Sequence, residues 1–385
     1  MRVLFVVSNA NKRGGTEILA FNLLHELNRK GYDCFLLSRF LYEGEDDRVI
    51  SFTKSEFQKW QSLNNNPLNK ISGSVLSDSF FRKLVAKYAN ALEVDWVINH
   101  TYDLIAAIPN DKSFNTAQIF NWSINGYEDT LMQNSSQKSF ISRQISHFSF
   151  YNLTRRWHLK LSSYTRLVVL TDTAHHEIQA LNPQVIGNRI VTIPDPINYT
   201  EDALNVSTLN NNNIVYVGRL SHEKGVMRLL RIWEKVSLHL PHCSLSIYGE
   251  GSAREEMENY VSLHCLQRVK FMGFCVDLKL IYTHADLLLM TSDTEGFGMV
   301  LIEAMYYGVP CISFDCPISP KEIIADAGVT IPAFDEEAYA DQVVELLGNY
   351  GQLLNFQKAA IKRARCFYIN KVLNKWMELL NFQNL

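Results

Sequence analysis

Twelve short apolar runs recur along the chain, and most are followed by a stretch of helical periodicity. In the first half they fall at 3–7, 34–37, 96–99, 117–120, 167–170 and 190–193. In the second half they fall at 214–217, 245–248, 269–272, 287–290, 311–314 and 329–331. Runs that are apolar throughout, rather than alternating with polar residues, suit parallel strands buried on both faces. Between the first two runs lies TEILAFNLLHELNRKGY, in which Leu19, Leu23 and Leu27 repeat at i, i+4 and i+8 and Gly31 supplies a stop. Strand, glycine turn, helix and strand make a βαβ unit, and its repetition predicts doubly wound parallel sheets.

A chain of 385 residues is too long for one comfortable core and suits two domains. The pattern lapses around 198–213, which ends in four asparagines and reads as a connector. We therefore expect an α/β protein of two αβα domains with the active site in the cleft between them. The expected boundaries are an N-terminal Rossmann-like domain at 1–197, a linker at 198–213, a C-terminal Rossmann-like domain at 214–365 and a C-terminal helix at 366–385 that crosses back to the N-terminal domain. The stretch from 352 to 380 reads as helical throughout.

With 47% hydrophobic and 20% charged residues, the composition excludes a mainly disordered chain or a collagen-like repeat. No stretch approaches the roughly 20 apolar residues that a membrane-spanning helix needs. The opening MRVLFVVSNANKRGG reads as a first strand rather than a secretory signal, so a cytoplasmic protein is expected. The seven cysteines form no C-x-x-C pair, and several lie in apolar runs such as VPCISF, which marks them as structural thiols. His175-His176 is the only histidine pair and lacks partners at zinc spacing. The net charge of −3 divides into +3 over residues 1–200 and −6 over the remainder. A generic nucleic-acid binder would need a concentrated basic face instead.

The most informative segment is Asp293-Thr-Glu-Gly-Phe-Gly-Met-Val-Leu-Ile-Glu-Ala-Met, which follows the run LLLM and opens an amphipathic helix. Gly296 and Gly298 let the backbone approach a ligand closely, and the amides of Phe297, Gly298, Met299 and Val300 point out of the helix start. Spare donors and a partial positive charge at a helix N-terminus suit a phosphate. Glu295 and Glu303, eight residues apart, can reach two ends of one extended ligand. The second segment, Val217-Gly-Arg-Leu-Ser-His-Glu-Lys-Gly-Val, carries Arg219 and Lys224 away from a strand's carboxyl edge, where doubly wound folds bind ligands. A guanidinium fork plus an ammonium point charge suits a diphosphate. The bland alternative is a pair of surface cations neutralised by Glu223.

The strings GRLSHEKG, YGEGSAREEME, FMGF and ADLLLMTSDTEGFGMVLIEAMYYGVPCI resemble the donor half of the retaining glycosyltransferases of family 4, which have the GT-B fold of two Rossmann-like domains facing each other across a cleft. Gly14-Gly15-Thr16-Glu17 is similar to that family's N-terminal glycine pair. The resemblance is dense over 214–325 and sparse over 1–200. It implies an acceptor-binding N-terminal domain and a nucleotide-sugar-binding C-terminal domain, in which Arg219 and Lys224 neutralise the diphosphate, Glu295 contacts the donor sugar, Gly296 lies at the donor site and the amides of Phe297 to Val300 serve the sugar and diphosphate. It also implies that Glu303 accepts from the ribose hydroxyls and that Gly15 admits the diphosphate from the opposite domain. UDP is the commonest nucleotide in such enzymes. Retention of anomeric configuration is likewise what the resemblance implies. No D-x-D pair for a divalent metal occurs, Asp293-x-Glu295 being nearest, so neither a metal nor another cofactor is expected.

The family's histidine facing the donor sugar is replaced, since Asn121 stands at that position in Gln118-Ile-Phe-Asn-Trp-Ser. His100, ending Trp-Val-Ile-Asn-His, matches a different family histidine one strand earlier, or else caps a helix over 101–108. From Thr130 to Thr171 there is no Asp or Glu, while Lys138, Arg143, Arg155, Arg156, Lys160 and Arg166 interleave with aromatics. That basic segment at 138–166 is expected to meet an anionic membrane face.

The leading expectation is a retaining, metal-independent glycosyltransferase moving a hexose-type sugar from a UDP-sugar to a saccharide or lipid-linked saccharide in bacterial surface-glycan biosynthesis, such as lipopolysaccharide or capsule. It would be cytoplasmic and peripheral on the membrane. The alternatives are a sugar-nucleotide epimerase of the same architecture and a non-catalytic sugar-nucleotide-binding protein. An NAD-dependent oxidoreductase fits poorly, because Gly249-x-Gly251 is followed by Arg254 where a third glycine belongs.

Overall fold

The computed structural model describes residues 1–11, 15–66, 75–100, 113–120, 164–181, 187–203, 205–317 and 319–382. They form two compact units, one of 1–194 with 373–385 and the other of 195–372. The asparagine-rich stretch belongs to the second unit in this division.

The first unit is built on a seven-stranded sheet. Its strands are β1 (Arg2–Val7), β2 (Asp33–Ser38), β3 (Val49–Ser51), β4 (Trp96–Asn99), β5 (Asn115–Phe120), β6 (Arg166–Val169) and β7 (Ile190–Thr192). Helices α1 (Gly15–Arg29), α2 (Lys54–Asn65), α3 (Val75–Ala91) and α4 (Asp172–Leu181) lie among them in sequence. The spatial order is β3-β2-β1-β4-β5-β6-β7 and every pair is parallel. Chain order therefore reverses between β1 and β4, which makes that boundary the switch point where such sheets bind ligands. Val3 to Val7 are fully buried, as continuous apolar runs require. The short β3 was not expected from the sequence. It is only half-buried, so its three residues carry no strong apolar signature.

The second unit holds β8 (Asn213–Val217), α5 (Val226–His239), β9 (Ser244–Tyr248), α6 (Arg254–Leu263), β10 (Val269–Gly273) and α7 (Leu278–Tyr282). They are followed by β11 (Leu287–Met290), α8 (Met299–Tyr306), β12 (Cys311–Phe314), α9 (Pro320–Ile324) and β13 (Gly328–Ile331). The unit continues with α10 (Glu336–Gly348) and α11 (Tyr350–Ala364). The strand order is β10-β9-β8-β11-β12-β13, again parallel throughout, with its switch point between β8 and β11. Trp233, Tyr216, Ile247, Leu289, Phe314 and Tyr339 are among the residues of its core. The Tyr339 hydroxyl accepts from the amide of Met290 at 3.1 Å and donates to the carbonyl of Ile312 at 2.6 Å, tying together the ends of β11 and β12.

The helix read from 352 to 380 is interrupted. After α11 the chain makes a 3-10 turn at Arg365–Phe367, Tyr368 is extended, and a last helix, α12 (Ile369–Leu380), begins. Asp202 explains the break, since its carboxylate accepts from Arg365 and from the Tyr368 hydroxyl, the latter at 2.9 Å. From Leu373 onward the chain belongs to the first unit, where the Trp96 indole N–H donates to the Leu380 carbonyl at 3.0 Å. Cys34, Cys243, Cys311 and Cys316 are buried thiols, and no cysteine is in a disulfide among the described residues.

Candidate functional site

The loops that leave β8 and β11 flank the switch point of the second sheet and are bound to one another through the backbone. Thr291 donates its hydroxyl to the carbonyl of Gly225 at 3.1 Å, and the amide of Asp293 donates to the carbonyl of Glu223 at 3.0 Å. Gly225 is required here twice over. Its φ is +64°, and a Cβ would lie 1.8 Å from the Thr291 carbonyl oxygen. From the first turn of α5, Arg228 donates to the Thr291 carbonyl at 2.8 Å and to the Asp293 carboxylate at 2.9 Å while its guanidinium lies over the Phe334 ring.

This join sets Lys224 beside Glu295. The ammonium is 2.7 Å from Glu295 Oε1, which also accepts from the Ser292 hydroxyl at 2.6 Å, and both side chains are largely buried. Arg219 is not part of this pair. Its exposed guanidinium meets Glu223 at 3.2 Å, the surface pairing that the sequence had left open. Both carboxylates of Asp293-x-Glu295 are thus committed to cations, Asp293 to Arg228 and Glu295 to Lys224.

Three residues beyond Glu295 the chain turns into α8. Gly298 precedes the helix with a φ of +85°, and the Leu301 amide donates to its carbonyl at 2.9 Å. Among the described residues no group accepts from the amides of Phe297, Gly298, Met299 or Val300, so the donors of this helix start remain available. Gly296 lies on the half-buried loop before it. The Phe297 ring is buried edge-on against Phe367, 5.8 Å between centroids, which leaves only its backbone to serve a ligand.

Glu303 sits one turn inside α8. Its Oε2 accepts from the Tyr282 hydroxyl at 3.4 Å, and burial pushes its carboxyl up to about 7, an effect that the Tyr282 hydrogen bond partly opposes. Tyr282 is fully buried, stacks on Tyr307 and also reaches the Val300 carbonyl at 3.4 Å. Arg228 and Tyr282 were both missed from the sequence. The signal for Arg228 was available, because it stands one helical turn beyond Lys224. Tyr282 carries no local motif.

In the first unit, Gly15 begins α1 just after β1, and a Cβ there would meet nothing within 4 Å. Its neighbour Gly14 lies outside the described residues. His100 follows β4, so Gly15 and His100 leave the two strands that flank that sheet's switch point. The His100 ring is buried edge-on to Phe5 at 5.4 Å and faces Trp376 at 6.5 Å. Burial pushes its pKa down to about 3, so the imidazole is neutral near pH 7. Its Nε2 has no hydrogen-bond partner among the described residues.

Asn121, the helix expected over 101–108 and most of the basic segment 138–166 lie outside the described residues. Of that segment's cations only Arg166 is described. It stacks over Phe382, 3.6 Å from the ring centroid, which gives it a packing role within the first unit.

Residues 201–365 match the family model of the glycosyl transferases group 1. The amylovoran biosynthesis glycosyltransferase AmsD of Erwinia amylovora is 32% identical over 205 residues, 52% of this chain and 56% of that protein. The chain thus spans little more than half the length of that relative. An uncharacterised glycosyltransferase of Haemophilus influenzae is 24% identical over 383 residues, 98% of this chain and 99% of its own. Among solved structures, S. aureus TarM, crystallised with Fondaparinux, alpha-GlcNAc-glycerol and UDP, superposes with a TM-score of 0.74 at 15% identity, covering 99% of this chain and 100% of that one. The likeness to TarM is one of fold: two Rossmann-like α/β domains with parallel sheets, as the GT-B class has.

Proposed function

We propose that this chain is a retaining glycosyltransferase that moves a hexose-type sugar from a UDP-sugar to a saccharide or lipid-linked saccharide of a bacterial surface glycan. The observation that carries the reading is the Lys224–Glu295 pair set against the unsatisfied amides of the α8 start at a sheet switch point. The family match over 201–365 supports the reaction class, the UDP in the TarM crystal supports the nucleotide, and the AmsD name supports a biosynthetic role.

In this reading the diphosphate lies on the amides of Phe297 to Val300, with Lys224 as its buried countercharge and Arg219 exchanging Glu223 for a phosphate oxygen. Glu295 holds Lys224 in place and accepts from a donor-sugar hydroxyl, while Glu303 accepts from the ribose hydroxyls. The bond from the anomeric carbon to the phosphate oxygen breaks, and negative charge grows on the diphosphate. Fixed donors stabilise that charge more than they stabilise the intact donor, which is how they raise the rate. The acceptor oxygen bonds to the anomeric carbon on the face the diphosphate leaves, and the acceptor proton passes to the departing phosphate. In the first unit, His100, as a neutral imidazole, and Gly15 are assigned to the same reaction, with Asn121 on the acceptor side. No metal is assigned a role, and the cations of 138–166 are assigned to an anionic membrane face.

The test is a panel of nucleotide-sugars screened by thermal shift and by nucleotide release. Stabilisation by UDP and slow hydrolysis of one UDP-sugar are the expected results, with hydrolysis sharply reduced in Lys224→Ala. Binding without any nucleotide release would instead mark a sensor, and conversion of donor without an acceptor product would mark an epimerase.

A further inference from the structure

The exposed apolar side chains of the second unit are concentrated at one edge of its sheet. Met272, Phe274, Val276 and Leu280 all stand exposed within nine residues, from the end of β10 into α7, with Phe274 at 69% and Val276 at 71%. Single exposed apolar residues are ordinary, but a contiguous group of them marks a contact surface.

The strand pleat places Met272, the first of this group, and Lys270 on one side of the sheet. Val269 and Phe271 pack on the core cluster that contains Trp233 and Met257, so alternation turns Lys270 and Met272 to the opposite face. Helix α6, with Glu255, Glu256 and Glu258, contributes Met257 to that core and so lies on the far side from Lys270 and Met272. From 263 to 284 the exposed cations are Arg268, Lys270 and Lys279, and the only carboxylate is Asp277. The Asp277 side chain is spent on capping α7, where it accepts from the Leu280 amide at 3.1 Å. Glu250, whose Oε1 would lie 3.2 Å from a Cβ on Gly273, is paired with Arg254. Over 263–284 three exposed cations thus stand against one carboxylate, beside the exposed apolar side chains.

We propose that this face, Met272, Phe274, Val276 and Leu280 flanked by Lys270 and Lys279, docks onto an anionic lipid bilayer. Apolar side chains entering the headgroup boundary beside lysines is the chemistry of interfacial binding. Edge-to-edge pairing with a second copy is disfavoured because β10 shifts register between Phe271 and Gly273, which breaks the ladder an added strand would need. The face also lies at the carboxyl end of the sheet. The amide of Gly249, on the loop after β9, donates to the carbonyl of Gly273 at 2.8 Å, and that loop is bonded in turn to the β8 loop, Leu220 amide to Glu250 carbonyl at 2.9 Å. The Lys224 and Glu295 loops leave the sheet at this same end.

The experiment is co-sedimentation of the full chain with vesicles of phosphatidylcholine alone and of equimolar phosphatidylcholine and phosphatidylglycerol. The expected result is pelleting with the anionic vesicles only. The triple variant Phe274→Ser, Val276→Ser, Leu280→Ser should weaken partition at least about tenfold, and Lys270→Gln with Lys279→Gln about thirtyfold. All five positions are exposed, so unchanged circular dichroism melts should confirm folding. Wild-type partition by both variants, no pelleting of the wild type, or loss of a dimer in the triple variant would each overturn the proposal. The readout is binding, so failure here leaves the proposed reaction untouched, and a chain inactive on every donor could still pass.

Discussion

The Lys224 ammonium lies 2.7 Å from Glu295 Oε1 and is held there by two loops that leave different strands. One partner comes from the loop after β8 and the other from the loop after β11, so the pair forms only when both sides of the switch point are folded. Removing the cation should therefore affect chemistry more than stability. Lys224→Ala is expected to lower kcat for nucleotide release by about 100-fold to 1,000-fold, with Tm shifted by only a few degrees. Steady-state UDP release and a thermal melt on the same preparation check both halves.

Glu303 makes donor binding depend on pH. Its folded pKa of about 7 is raised from 4.5, so it must lose a proton before it can accept from both ribose hydroxyls. Donor KM should fall as pH rises from 6 to 8, and Glu303→Gln should flatten that trend. The stability effect has the opposite sign. The folded state holds this proton more tightly than the unfolded chain, so the wild type should lose stability relative to Glu303→Gln as pH rises from about 4.5 to about 7. Titration of donor binding by calorimetry and melts across that range give the two slopes.

Tyr282→Phe deletes the one hydroxyl that donates to Glu303 among the described residues. Without it the carboxyl should titrate still higher, moving the pH profile of donor KM upward while kcat at saturating donor stays within about twofold. A purely structural role for Tyr282 would lower the amount of folded enzyme without moving the profile.

Gly225→Ala places a methyl group 1.8 Å from the Thr291 carbonyl at a φ of +64°. The two loops cannot keep their join, and the variant should lose at least about 2 kcal/mol of stability. Urea melts measure the loss, and UDP binding should disappear with it.

Turnover should survive EDTA. Asp293 and Glu295, the pair closest to a metal-binding D-x-D, are each bound to a cation, at 2.9 and 2.7 Å. A requirement for added Mn²⁺ or Mg²⁺ in the release assay would refute the metal-free scheme.

The strands were legible because burial on both faces makes each a continuous apolar run, and Leu287–Met290 reads the same alone as in the sheet. The half-exposed β3 lacks that signature. The break before α12 was hidden because it depends on Asp202, more than 160 positions away from Arg365 and Tyr368. The Glu295 and α8 cluster could be anticipated because its parts are contiguous. The division of cations could not: whether Lys224 or Arg219 turns toward Glu295 is decided by how two loops bond through Gly225 and Asp293. Tyr282 meets Glu303 through a tertiary contact with no spacing rule behind it.

The last helix ends in the first unit, where Leu373, Trp376 and Leu380 are buried and the Trp96 indole is bonded to the Leu380 carbonyl. Clipping the final dozen residues would strip a side wall from the protein's opening half rather than trim its closing one. An expression design that isolates the N-terminal lobe as a contiguous piece would leave Trp96 and His100 bare, so the lobe is better rescued by grafting the terminal helix back as a separate peptide.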